Sequence, residues 1–334
     1  MTRNSIRANR TLTKHIVWLT AAILLGLALR KVPWQEVGVA LSKLGPTQIG
    51  ILILVNAAVV VTFSGRLWMI LRSQAHALPL LTLVRYWLAG FALSYFTPAS
   101  QLGGGSLQIY LLQKRNAIPL PTATASVVLS KVLERAGRAM FLLFGIISLL
   151  QLQLFQDLTD EFMIAIALGV LTVPVGYLAA ARNGRRPLFS ILRLMPAILA
   201  RRKAYRRLLE IVGEAELQVG ALIHDRPQVL AIGLSLSLLS WAIISLETWL
   251  ALSFLGLAFT PREVLAVVAA AQIAFMTPIP AGLGAMEASL VAVFLALGNS
   301  SADAVSLALL MRARDFLIGG LGLWRGGLMA FFKA

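Results

Sequence analysis

Residues 277–284 read Thr277-Pro278-Ile279-Pro280-Ala281-Gly282-Leu283-Gly284, and residues 97–105 read Thr97-Pro98-Ala99-Ser100-Gln101-Leu102-Gly103-Gly104-Gly105. Proline removes a backbone donor and clashes with the preceding turn, and glycine adds conformational freedom, so neither stretch continues a helix. Both sit inside otherwise apolar sequence. Tyr86 to Phe96 precedes the first and an amphipathic run to Lys114-Arg115 follows it; Glu263 to Met276 precedes the second, and Glu287 to Leu297 follows. Such arms fall short of the roughly 20 residues that a full helical crossing needs. Thr97-Pro98 and Gly104 recur as Thr277-Pro278 and Gly284 at an offset of 180, and Glu134-Arg135 corresponds to Arg314-Asp315 at the same offset. The spacing suggests an internal repeat, about 48–150 and about 228–330, each half carrying one broken helical hairpin.

Outward from these breaks the chain is apolar almost throughout. Of 334 residues, 58% are hydrophobic and 13% charged, with mean hydropathy +0.81, against roughly 45–50% and about 25% for an ordinary soluble domain. This reads as an all-α, polytopic integral membrane protein, a single transmembrane domain over 1–334. About six full spans are expected, near Ile16–Leu29, Gln48–Leu71, Thr122–Leu150, Glu161–Ala181, Gln228–Leu255 and Asp303–Ala330, together with two re-entrant hairpins. No A-x-A-like cleavage site follows the first run, which is therefore taken as an uncleaved span.

The net charge of +16 reads as orientation and anionic-lipid contact, because the basic residues flank apolar runs instead of forming the soluble stripe that nucleic acid would require. The absence of cysteine excludes disulfides and thiolate chemistry. His15, His76 and His224 are too scattered to form a local metal-ligand motif, so no metal or cofactor is expected. The positive-inside rule places the N-terminus and the basic connection 182–226, with ten Lys/Arg against four Asp/Glu, in the cytoplasm. Three crossings then separate the two hairpins, an odd number, so the repeats are inverted. The same topology puts Arg30, Lys31 and Lys43 outside, against that rule. Pro187 to Leu199 is apolar enough to lie on an anionic leaflet, although a solvated loop is the plainer reading of this connection.

Charges inside spans cost about 2.5–3.5 kcal/mol each at mid-helix on insertion scales, so they pair or line a wet path. The candidates are Lys131, Glu134, Arg135 and Arg138 on one long helix, Arg312, Arg314 and Asp315 on the last, and Arg66, Glu247 and Glu287 elsewhere. Lys131 and Arg135 share a helix face, as do Glu134 and Arg138. Two readings stand: a polar cavity between helices, or a helix starting near Ala139 that leaves Lys131 to Arg138 at the interface. Glu287 could cap a helix N-terminus or contact substrate. Pro98, Gly103, Gly104, Gly105, Pro278, Pro280, Gly282 and Gly284 form the broken elements, which either open such a cavity or merely kink packed helices. The glycines at 319, 320, 322, 326 and 327 read as a close-packing stripe.

Pro278-Ile279-Pro280-Ala281-Gly282-Leu283-Gly284-Ala285-Met286-Glu287 resembles the P-x-P-G-G-L-G-x-x-E signature of the flippase-like membrane family that includes the transmembrane region of lysylphosphatidylglycerol synthetases. Gly103 to Leu112 is similar to that family's G-G-(D/E)-x-x-R-x-Y-L-L element, followed by an acid-Arg pair at Glu134-Arg135. The chain departs at Gly105, where the family tends to an acid, at Gln108, where it tends to Arg, and at Ala281, which replaces a glycine. The resemblance implies a lipid translocator of the bacterial inner membrane, without the aminoacyl-transfer domain, moving a phospholipid, a polyprenyl-phosphate-linked lipid or a hopanoid. In that role Arg135, Arg312 and Arg314 would contact phosphate or hydroxyl groups, and Glu134 and Asp315 would hold those arginines. The alternatives are a non-transporting partner of a lipid-biosynthesis enzyme, and an intramembrane lipid-modifying transferase using Glu134, Glu247 or Glu287 as base. No nucleophile-base constellation supports the transferase.

Overall fold

A computed structural model of the chain describes residues 34–96, 103–152, 160–194, 203–277 and 282–325. The expected first span (16–29), Arg30, Lys31, Pro98, Pro278, Pro280, and residues 326–330 lie outside them. All regular structure among the described residues is helical: α1 Trp34–Ser42, α2 Pro46–Ser73, α3 Leu80–Phe96, α4 Gly103–Asn116, α5 Leu120–Gln151 and α6 Asp160–Arg182; then α7 Pro187–Arg193, α8 Lys203–Asp225, α9 Pro227–Phe254, α10 Pro261–Phe275, α11 Ala285–Ala296 and α12 Ser301–Arg325.

Local chemistry sets these boundaries. Proline opens α2, α7, α9 and α10, where its missing N–H removes no intrahelical bond. Thr260 caps α10 reciprocally with Glu263: the Glu263 N–H donates to Thr260 Oγ1 at 3.4 Å and the Thr260 N–H donates to Glu263 Oε2 at 2.6 Å. Ser300 does the same for α12, accepting from the Asp303 N–H at 3.1 Å. The Gly-Leu-Gly of the second break is needed for its backbone, since Gly282 and Gly284 adopt φ of +61° and +77°, a region that L side chains rarely enter.

The long helices α2 and α9 pack on each other, and α5 is the hub, touching α2, α4, α6, α8, α9 and α10. Helices α3 and α4 form one hairpin, α10 and α11 another. The arms have 17, 14, 15 and 12 residues, shorter than a full crossing. Hairpin arm α3 packs on α12, and arm α10 packs on α5. Helices α2, α3, α4 and α5 begin at 46, 80, 103 and 120, and α9, α10, α11 and α12 at 227, 261, 285 and 301, a nearly constant displacement.

Glycine permits the closest of these contacts. A Cβ on Gly104 would lie 2.5 Å from the Gly90 carbonyl oxygen, and one on Gly322 would lie 2.1 Å from that of Leu88. Of the expected stripe on α12, Gly322 therefore packs, whereas Gly320 has nothing near it.

Large apolar side chains are exposed and several charges are buried beside the apolar core. Leu54, Val173 and Leu317 are 72%, 71% and 62% exposed, while Arg66, Arg312, Asp315 and Glu287 are buried. Among the described residues, α2 and α9 are long and uniformly apolar enough to cross a bilayer. The 182–226 connection is more than a solvated loop. Tyr205, Ala215, Val219, Leu222 and Ile223 of α8 are buried, and α8 packs against α5 and α6. Its buried Glu216 accepts the Leu188 and Phe189 N–H groups, each at 2.9 Å, and so holds α7 down.

Candidate functional site

Between α2, α3, α5, α9 and α12 lies a cavity of about 310 Å³. One wall is charged. Helix α5 runs unbroken from Leu120 to Gln151, so Lys131 to Arg138 are helical and the start near Ala139 is not what the chain adopts. From this helix Lys131, Glu134, Arg135 and Arg138 line the cavity, and from α12 so do Arg314 and Asp315. The Glu134-Arg135 and Arg314-Asp315 pairs, 180 residues apart, thus face the same space.

Two ionic centres organise this wall. Glu134 Oε2 lies 3.0 Å from both Arg66 Nη2 and Lys131 Nζ, and Glu134 Oε1 lies 3.7 Å from Arg138 Nη2. Arg66, 1% exposed, also donates to Ser130 Oγ at 3.2 Å and Ser237 Oγ at 2.8 Å. At the second centre Arg314 Nη1 donates to Glu247 Oε2 at 2.9 Å and Arg314 Nε donates to Asp315 Oδ1 at 2.9 Å. Asn56 Nδ2 donates to Glu247 Oε1 at 3.0 Å. Buried charges survive only when paired and hydrogen-bonded in this way.

Arg135 differs from its neighbours. Among the described residues its guanidinium has neither a carboxylate nor a hydrogen-bond partner, and it lines the cavity exposed. Among the described residues two further donors in the wall have no partner, Arg138 Nε and Trp241 Nε1, with the Arg138 guanidinium 5.5 Å above the Trp241 ring. The amides of Gln108 and Gln272 line the same space.

An aromatic series also lines the cavity. Phe63, Trp87, Phe91 and Tyr95 stack in series, with centroids 5.4, 5.5 and 5.6 Å apart and planes within 20° of parallel. The last three are spaced by four on α3, which puts them on one helix face.

Arg312 and Glu287 do not line the cavity. Arg312 Nε donates to Glu287 Oε1 at 2.9 Å and its Nη2 donates to the Gly282 carbonyl at 3.2 Å. Arg312 Nη1 lies 3.4 Å from Tyr95 Oη, while Glu287 Oε2 accepts the Gly284 N–H at 2.8 Å. Glu287 therefore caps α11, and this pair fastens the second hairpin to α12 and, through Tyr95, to the first hairpin. Gly282 and Gly104 do reach the cavity; Gly103 and Gly105 do not.

The sequence reading assigned Glu134 to hold Arg135; it holds Arg66, Lys131 and Arg138 instead. It gave Glu247 no partner, and the partner is Arg314. It also missed Asn56, Trp241, Gln272 and the aromatic series, of which only the four-residue spacing of Trp87, Phe91 and Tyr95 was a readable signal. Among the described residues no three His, Asp or Glu side chains converge to hold a metal ion.

Residues 15–322 match the family described as the lysylphosphatidylglycerol synthase TM region. The chain is also 22% identical over 259 residues to a UPF0104 membrane protein of Methanothermobacter thermautotrophicus, an alignment covering 75% of this chain and 74% of that protein. No solved structure matches it. With the positive-φ glycines of the second break, the capping Glu287 and a match over most of its length, this chain belongs to the membrane-protein family of the lysylphosphatidylglycerol synthase transmembrane region.

Proposed function

We propose that the protein is a multi-pass lipid translocator of the bacterial inner membrane, passing a polar headgroup through the cavity while the acyl or prenyl tails stay in the bilayer. The observation that carries this reading is a charged cavity, holding an Arg135 with no partner among the described residues, inside a helical protein that exposes many large apolar side chains. An exposed guanidinium that no protein carboxylate occupies is free to take an anionic group in a bidentate, charge-assisted contact.

The arrangement of the two halves supports it. Repeats over about 48–150 and 228–330, inverted with respect to each other, account for the displaced helix starts and for the exchange in which α3 packs on α12 while α10 packs on α5. Each half supplies one re-entrant hairpin, and the substrate site lies where the halves meet, as in other inverted-repeat transporters. The N-terminus and the 182–226 connection are cytoplasmic in this reading, and exposed Leu188, Ile191 and Leu194 beside Arg185, Arg186 and Arg193 rest on the anionic leaflet.

The test is movement of fluorescent phospholipid in proteoliposomes, read by chemical quenching of the outer leaflet. Loss of one charge-assisted contact, worth about 1.5–3 kcal/mol, makes Arg135→Gln about tenfold slower or more. Equal rates in wild type, Arg135→Gln and protein-free vesicles refute translocation.

A further inference from the structure

We infer that the two halves close the cavity on each other through an ion pair that the present arrangement leaves unmade, Arg135 of α5 with Asp315 of α12, and that an anion bound at Arg135 holds the cavity open by taking the same guanidinium. The inference rests on the translocator reading only for the use to which the closure is put.

The two ionic centres are one contact made twice with the charges reversed. In the first half an arginine on α2, Arg66, meets an acid on α5, Glu134, 68 positions on; in the second an acid on α9, Glu247, meets an arginine on α12, Arg314, 67 positions on. Helices α9 and α12 begin at 227 and 301, displaced equally from α2 at 46 and α5 at 120. Arg66 and Glu247 therefore occupy equivalent places on their helices, and Glu134 and Arg314 do so to within one residue. The next residue reverses as well, Arg135 against Asp315. Where a two-fold relation brings equivalent residues together, like charges repel and opposite charges attract. Halves bearing the same charges at these three places would hold each other off; with the charges reversed, they complement each other.

The contributions of the halves to the cavity differ in net charge accordingly. The first brings Arg66, Lys131, Arg135 and Arg138 against Glu134, an excess of cations; the second brings Glu247 and Asp315 against Arg314, an excess of acid. Each excess has a spare group. Arg135 is exposed in the cavity with no partner among the described residues, and Asp315 shares an Arg314 that already donates to both Glu247 oxygens, at 3.0 and 2.9 Å. Both spare groups line the cavity, and α12 packs on α1, α3, α9 and α11, not on α5.

Away from bulk water the attraction between these groups is stronger than at a surface, and making the pair shuts the path through the protein. A phosphate or carboxylate held bidentately by Arg135 occupies the donors that Asp315 would take. Bound anion and closure therefore exclude each other, and the cavity shuts when no headgroup is in it, which keeps a translocator from leaking water and ions.

The experiment uses the full chain, delipidated in dodecyl maltoside, with nitroxides on Phe144→Cys and Leu317→Cys, two exposed positions of α5 and α12 in a chain with no native cysteine. Their separation is read by double electron–electron resonance. The labelled chain should show two distances. Arg135→Gln, which loses one charge-assisted pair, should lower the ratio of the shorter to the longer by about tenfold or more, and Arg135→Lys should retain it. Asp315→Asn should act as Arg135→Gln does. Arg135→Asp combined with Asp315→Arg restores opposite charges and should recover the shorter distance that either exchange alone abolishes, whereas damage to the fold would be compounded in the double variant. Depletion of the shorter distance by added phosphatidylglycerol and not by inorganic phosphate identifies the opening anion as a headgroup; depletion by both identifies it as any phosphate; depletion by neither overturns the proposal. A single distance, or a shorter one that Arg135→Gln leaves in place, overturns it too. The predicted shifts in a protein that moves no lipid in proteoliposomes would keep the closure and refute translocation, and lipid movement with one unchanging distance would do the reverse.

Discussion

Replacing Arg312 by methionine isolates what the Arg312–Glu287 pair does. The two side chains are 8% and 7% exposed, and Arg312 makes two bonds to Glu287, one to the Gly282 carbonyl and one with Tyr95. Without it, the buried Glu287 carboxylate keeps, among the described residues, the Gly284 N–H. Removing one partner of a buried pair costs about 3–5 kcal/mol. At about 2 °C per kcal/mol for a chain of this size, the apparent Tm in detergent should fall by about 6–10 °C. Neutralising the orphan as well, in Arg312→Met with Glu287→Gln, removes the uncompensated charge, so the double variant should melt above Arg312→Met alone. Thermal unfolding followed by tryptophan fluorescence measures all four corners of this cycle. A Tm loss under about 2 °C for Arg312→Met, or losses that simply add in the double variant, would show that the pair is not what fastens the second hairpin.

Gly104→Val places a side chain into the Gly90 carbonyl and should lower Tm by several degrees, whereas Gly105→Ala, whose nearest neighbour is Val127 Cγ1 at 3.7 Å, should leave it unchanged. The same contrast holds on α12. Gly322→Ala should separate α12 from α3 and destabilise, while Gly320→Ala, with nothing within 4 Å, should not; equal Tm values for the two would deny the close packing. Glu134→Gln leaves Arg66, Lys131 and Arg138 facing one another and should destabilise by about 3 kcal/mol or more. Arg135→Gln removes no hydrogen bond or ion pair among the described residues and should melt as wild type does while moving lipid about tenfold more slowly; a matching Tm loss would give Arg135 a structural role.

Much of the fold was legible because its determinants are local. The glycines of the second break, which the sequence showed, and the prolines at 46, 227 and 261 with the Thr260–Glu263 box, which were not singled out there, all act within a turn or two of their own position and set the helix boundaries. The charged residues of the cavity were legible too, since an ionisable side chain in an apolar run is conspicuous wherever it lands. Their partners were not. Glu134 and Arg66 are separated by 68 positions, Glu247 and Arg314 by 67, and only the packing of α2 on α5 and of α9 near α12 brings them together. The burial of α8 escaped notice for a related reason: its charged face dominates the composition of 182–226, while the apolar residues that pack against α5 and α6 are spread at helical spacing between those charges. Glu287 read equally as a cap or a substrate contact, and a sequence gives no sign that it caps α11 and holds Arg312 behind the cavity instead of lining it.

The central claim is that the cavity between the halves passes a headgroup from one side of the membrane to the other. Because the chain has no cysteine, a single Gln272→Cys places one thiol in that cavity. Its reaction with a membrane-impermeant thiol reagent, applied separately to each face of sealed vesicles, tests the claim most directly. The account predicts labelling from both faces, slowed from both by added substrate lipid. Labelling from one face only, unchanged by lipid, would contradict it.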